Sequence, residues 1–254
     1  MNRRLATSAF TLLELSIVLV IIGLVVGGVL VGKDLIEAAK LQRVVKEAQG
    51  FQNAVATFRL KYNALPGDMP QPESYFPDAN WNSAAYGIGD GVIYSYTEGA
   101  DAWRQLSLAQ LIGAGGMQGA EYCGHSSSSS GWCSSIIGVT GPGSMYNDNM
   151  AWYIGNSSKT GKNAILFSTP GSGLTGGGSY WPQNEGALPA IAAQNIDQKV
   201  DDGKPNSGAV RAESDYGGCM DVPANSVNAH QGVYALTPIN FPQGGCSLSF
   251  PLNM

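Results

Sequence analysis

The stretch from Leu12 to Val31, LLELSIVLVIIGLVVGGVLV, constrains this chain more than any other: twenty residues with one charge, that of Glu14. About twenty apolar residues are enough to span a bilayer as a helix. Arg3 and Arg4 precede the run, so the positive-inside rule puts the first residues in the cytoplasm and the bulk of the chain outside. A secretory signal peptide describes it poorly. Such peptides have an apolar core of about 7–15 residues followed by a small-x-small cleavage site, whereas this run is longer and passes without a break into a polar helical pattern. An ordinary uncleaved anchor leaves Glu14 unexplained, because an isolated acid near a bilayer core costs about 2.5–3.5 kcal/mol on insertion scales.

The helical pattern continues past the apolar run. Leu41, Val44, Ala48, Phe51, Val55, Phe58 and Tyr62 recur at alternating steps of 3 and 4, the stripe of an amphipathic helix. No proline occurs between Met1 and Ala64, and Leu65-Pro66-Gly67-Asp68 then closes the pattern with a turn signal. The expected helix runs from Phe10 to about Tyr62, 53 residues, or about 80 Å at 1.5 Å per residue. Its half 10–32 needs lipid or other helices, and its stalk 33–62 needs a globular domain over the stripe. Gly23, Gly27, Gly28 and Gly32 interrupt the apolar half. Each costs up to about 1 kcal/mol relative to alanine, and each lets a neighbouring membrane helix come close. Softening is expected around Gly27–Gly32.

Charge divides the chain. Residues 1–62 hold eight basic and four acidic groups, a balance of +4, so the rest carries -9 of the total of -5. A basic segment without interleaved aromatics, joined to an acidic remainder, argues against nucleic-acid binding. With 34 glycines and 13% charged residues, loops are expected to be abundant, yet 44% hydrophobic residues support a packed core.

Residues 63–254 read as one α+β domain, an antiparallel sheet laid on the stalk. A helix is expected from Asp101, as its cap, through Leu111, with Trp103, Leu106 and Ala109 buried, and another from Ala187 to Val200. Strands are expected at Val92–Tyr96, Ala151–Ile154, Ala164–Phe167, Gly232–Leu236 and Ser247–Phe250. The low-complexity stretches His125–Gly131 and Gly171–Gly178 are expected on the surface. Cys123, Cys133, Cys219 and Cys246 suit disulfides in an exported chain and allow three connectivities. The pairs nearest in sequence, Cys123–Cys133 and Cys219–Cys246, are preferred. Paired C-x-x-C clusters of a zinc site are absent from the sequence.

Ala9-Phe10-Thr11-Leu12-Leu13-Glu14-Leu15 resembles the processing site of type IV prepilins and type II secretion pseudopilins. The resemblance implies that a membrane prepilin peptidase cuts between Ala9 and Phe10, removes the basic leader Met1–Ala9 and N-methylates Phe10. Ala9 stands where most of the family has glycine. Glu14 lies one helical turn from the new amine, and the family gives this acid a register role, pairing with the amine of a neighbouring subunit. Gly23 matches a glycine frequent in pilin helices, while Val31 replaces a proline many pilins carry. Weaker likeness to large prepilin-type proteins extends to Tyr62–Asp68, Ala102–Leu106 and Ile196–Gly203, and Cys219–Cys246 lies where many pilins close a C-terminal loop by a disulfide. The implied fold is pilin-like. The implied partners are copies of the chain and other pilin-like subunits, an inner-membrane assembly platform, and the lipid bilayer before assembly. The implied location is the inner membrane, then a periplasmic or cell-surface filament.

Enzyme motifs fail. Lys159-Thr160-Gly161 has no S-x-x-K partner, and Gly155–Lys162 has five residues between its glycines where a P-loop has four, and Asn163 follows where Ser or Thr is required. His125 and His230 are expected to be solvated loop residues. Asp197, Asp201 and Asp202 before Gly203 form a calcium candidate, since oxygen ligands before a glycine turn bind this ion and some major pseudopilins bind it; the spacing is not that of an EF-hand. No other cofactor is expected. The sequence thus reads as a non-enzymatic filament subunit. The alternatives are a type II secretion pseudopilin and, from other classes, a membrane-anchored adhesin or binding module and an anchored enzyme.

Overall fold

The computed structural model describes residues 11–77, 81, 87–94, 97–113, 117–119, 137–157, 160–169, 188–213, 219–220, 232–235 and 245–252. Helix α1, Leu12–Tyr62, passes through all four apolar-half glycines without interruption. The chain divides into two compact units, one ending at Lys40 and the other Leu41–Met254. In the first, the described helix surface is exposed almost throughout. It is long and apolar enough to cross a membrane.

In the second unit, Leu41, Val44, Ala48, Ala54, Val55 and Phe58 of α1 are buried. Phe51 packs edge-on to Trp103 at 4.8 Å and to Trp152 at 5.5 Å between ring centroids. The expected stripe is therefore the core-facing surface of α1, with Phe51 and Tyr62 at its margin. A short 3₁₀ turn, Pro72–Ser74, follows, and then α2, Thr97–Leu108.

The sheet is antiparallel with strand order β1-β2-β4-β3. Its strands are β1, Ala151–Asn156; β2, Asn163–Ser168; β3, Arg211–Ala212; and β4, Leu248–Pro251. The register pairs Trp152 with Phe167 and Ile165 with Phe250. Helix α3, Ala190–Val200, precedes β3. Phe167 and Phe250 pack on Trp152, which in turn meets Phe51 of α1 in the core. Loop carbonyls cover the sheet edges: the Trp152 amide donates to Pro142 at 2.9 Å, the Asn156 amide to Ile93 at 2.8 Å and the Ala212 amide to Pro205 at 2.8 Å.

The α+β architecture agrees with expectation, and several elements differ in detail. α2 starts four residues early, so Asp101 lies inside it and is buried rather than capping it. Its first turn includes Gly99, where a Cβ would overlap the Ile154 carbonyl of β1. Val92–Tyr94 is not a strand. Its amides are taken by side chains, Ile93 donating to Asn163 Oδ1 and Tyr94 to Glu98 Oε2. The rest of that expected strand, residues 95–96, lies outside the described residues. The expected strand at Gly232–Leu236 reduces to one bridge between Met220 and Tyr234, with Leu236 outside the described residues. α3 begins at Ala190 because Pro189, at φ −54° and ψ 142°, is an extended N-cap. Ala187, Cys123, Cys133, His125, His230 and both low-complexity stretches also lie outside the described residues.

Candidate functional site

The N-terminal helix carries the first candidate. Thr11 and Glu14 form a capping box: the Glu14 amide donates to Thr11 Oγ1 at 3.3 Å, and Glu14 Oε2 accepts the Thr11 amide at 2.8 Å and hydroxyl at 2.7 Å. This local role was missed in the sequence, although Thr11-x-x-Glu14 is its signature. It leaves Glu14 exposed at the start of the helix, with a carboxylate that can also accept a cation. Ala9, Phe10 and the leader Met1–Ala9 lie outside the described residues. At Gly23, Gly27, Gly28 and Gly32 an added Cβ would meet nothing within 4 Å among the described residues.

In the second unit, carboxylates fix loops to helices. Glu47 on α1 takes three donors: the Trp152 indole at 2.7 Å, the Ser144 hydroxyl at 2.7 Å and the Met145 amide at 2.9 Å. Asp68 takes two, the amides of Gly89 at 2.7 Å and Gly91 at 2.8 Å. The stretches Tyr62–Asp68 and Ala102–Leu106 meet: Gln105 Oε1 accepts the Gly67 amide at 2.8 Å. Gly67 has φ +86°, and a Cβ there would overlap the Glu98 carbonyl. Glu98, on the first turn of α2, is buried and accepts the Tyr94 amide at 2.7 Å. Burial pushes its carboxyl up to about 7, helped by the charges of Asp68, Asp90 and Asp101 and opposed by the Tyr94 hydrogen bond.

The third stretch, Ile196–Gly203, forms the end of α3 and the turn after it. Asp197 is fully buried, accepting the Tyr234 hydroxyl at 2.8 Å and the Gly203 amide at 3.3 Å. Burial raises its carboxyl to about 6 against the pull of those two donors. Burial and the adjoining Asp197 raise the Tyr234 hydroxyl above its usual range. Asp197, Asp201 and Asp202 converge, with one oxygen from each within 4.8 Å of the others. Two oxygens at 2.3–2.6 Å from one calcium ion lie at most about 5 Å apart, so the spacing admits the ion. Protein donors already engage these groups, however. Asp201 accepts the amides of Ala209 and Val210, and Asp202 accepts the Lys204 amide at 2.9 Å and the Ser207 hydroxyl at 2.6 Å. The three acids thus have a structural task, closing the 201–210 turn. Cys219 and Cys246 are joined by a disulfide, one of the preferred pairs, and the Leu188–Cys246 bridge adjoins it.

A groove of about 890 Å³ lies where α1 ends, with Arg59, Asn63, Gly89, Gly91, Lys162 and Asn163 among its walls. Arg59 belongs to the last turn of α1, where a cation offsets the helix dipole. Comparison with known protein families, curated proteins and solved structures found no match.

Proposed function

We propose that this chain is a structural, non-enzymatic subunit of a type IV pilus-like filament with a pilin-like fold. It is inserted in the inner membrane as a precursor, cut between Ala9 and Phe10 by a prepilin peptidase, and assembled through its N-terminal helix at an inner-membrane platform. The observation carrying this reading is an apolar helix surface from Leu12 onward that is exposed among the described residues, preceded by the Ala9-Phe10-x-x-x-Glu14 sequence. Lipid covers such a surface before assembly, and copies of the same helix cover it afterwards. Glycines whose Cβ positions face open space among the described residues suit close helix–helix approach. Helices in lipid gain no hydrophobic drive toward each other, so extraction needs a powered machine. Glu14, exposed at the helix start, supplies an acid for a neighbouring subunit's Phe10 amine.

Intact-mass analysis of the processed protein tests the reading. A filament subunit begins at N-methylated Phe10. A protein retaining Met1, or beginning after residue 27, is a plain anchored or secreted module, and the proposal fails.

A further inference from the structure

The loop 87–94 forms part of the groove wall through Gly89, Gly91 and Val92, and acids hold it from three sides. Asp68 takes the Gly89 and Gly91 amides, Asp90 Oδ1 takes the Val92 amide at 2.8 Å, and Glu98 takes the Tyr94 amide. The Tyr94 hydroxyl donates to Asp90 Oδ2 at 3.2 Å. We propose that the Glu98 carboxyl is a proton-operated latch on this loop, holding it in place in the groove wall when protonated and releasing it when ionised.

The argument rests on what surrounds Glu98. The segment after α1 brings Asp68, the loop brings Asp90 and Tyr94, and α2 adds Asp101 one turn further on. β1 and β2 meet the same loop through neutral groups, the Asn156 amide on the Ile93 carbonyl and the Asn163 side chain on Ile93 and Gly91. Ionised Glu98 is therefore buried among like charges with the Tyr94 amide as its donor. Protonated, it still accepts that amide through its carbonyl oxygen and carries no charge to repel its neighbours. Opening the loop admits water, which stabilises the ionised form. The closed state holds the proton up to about pH 7, while an exposed glutamate loses it near 4.3. Closure is thus favoured below the lower value, weakens as pH rises between the two, and changes no further above about 7. For a single proton the opening constant rises by up to about tenfold per pH unit within that window.

Backbone amide exchange on the full chain in detergent tests the latch, with opening constants at Gly89, Gly91 and Tyr94 corrected for intrinsic exchange. Opening is expected to increase at least about tenfold between pH 5 and pH 7.5 in the wild-type protein. Glu98→Gln keeps the Tyr94 acceptor and is expected to remain closed at both pH values. Asp90→Asn keeps an acceptor for Val92 and is expected to lower the midpoint. A wild-type loop with constant opening, an unchanged pH response in Glu98→Gln, or an unmoved midpoint in Asp90→Asn each overturns the proposal.

Discussion

Trp152 in β1 donates its indole N–H to Glu47 of α1 at 2.7 Å, joining residues 105 apart in sequence. The same carboxylate holds Ser144 and Met145, so one side chain fixes helix, strand and loop together. Glu47→Ala leaves a fully buried strand tryptophan without its acceptor, at a cost of about 1–3 kcal/mol. Glu47→Gln puts an amide N–H₂ among donors and is expected to be nearly as harmful. Denaturant midpoints followed by tryptophan fluorescence check both.

Glu14 has two tasks that substitution can separate. Glu14→Leu is expected to insert and be clipped but to assemble poorly with wild-type subunits. Glu14→Gln retains the capping-box acceptor for Thr11 but loses the charge. If the carboxylate pairs with an amine, the glutamine variant gives filament yields as low as the leucine variant. Wild-type yield from the glutamine variant assigns the residue to capping alone.

Gly67→Ala combines a left-handed backbone, φ +86°, with a collision against the Glu98 carbonyl. The expected destabilisation is about 2–3 kcal/mol, read as a fall in thermal midpoint. Gly91→Ala, at φ +85° but with open space around it, is the control, expected to show only the smaller backbone penalty.

Tyr234→Phe removes the hydroxyl donor to buried Asp197. That donor favours the ionised carboxylate, so its loss raises the Asp197 pKa further above about 6. A carboxyl raised on folding weakens the native state as pH climbs from the unfolded value, near 3.9, through the folded one. The destabilisation by Tyr234→Phe is therefore larger at pH 7.5 than at pH 4.5. It reaches about 1–3 kcal/mol at the higher pH, measured as urea midpoints at both values.

The Cys219–Cys246 disulfide closes a loop with a sequence separation of 27. Chain-entropy reasoning gives it about 3.5 kcal/mol, equivalent to about 7–14 °C in a unit of this size. Replacing both cysteines by serine is expected to lower the thermal midpoint by that amount, read by calorimetry.

The sequence showed the long helix clearly because its apolar run and its stripe repeat over many turns, so single ambiguous residues do not matter. β1, β2 and β4 were also legible, to within one or two residues, from short apolar runs bounded by polar residues. Val92–Tyr94 misled because its composition suits a strand while Glu98 and Asn163 capture its amides. The start of α2 is hard to read because glycine is a poor helix residue, and the contact that demands glycine at position 99, the Ile154 carbonyl of β1, is distant in sequence. Glu47, Asp68 and Glu98 were overlooked together. A carboxylate ordinarily signals solvent, and the donors that hold the first two are distant in sequence.

The protected borders of the small sheet have a further consequence. Pro142 and Ile93 satisfy outward amides of β1, and Pro205 does so for β3. Among the described residues, these contacts occupy part of each border onto which a foreign strand could otherwise add. Edge capping of this kind lowers the tendency of such domains to zip into cross-β aggregates when they are crowded together.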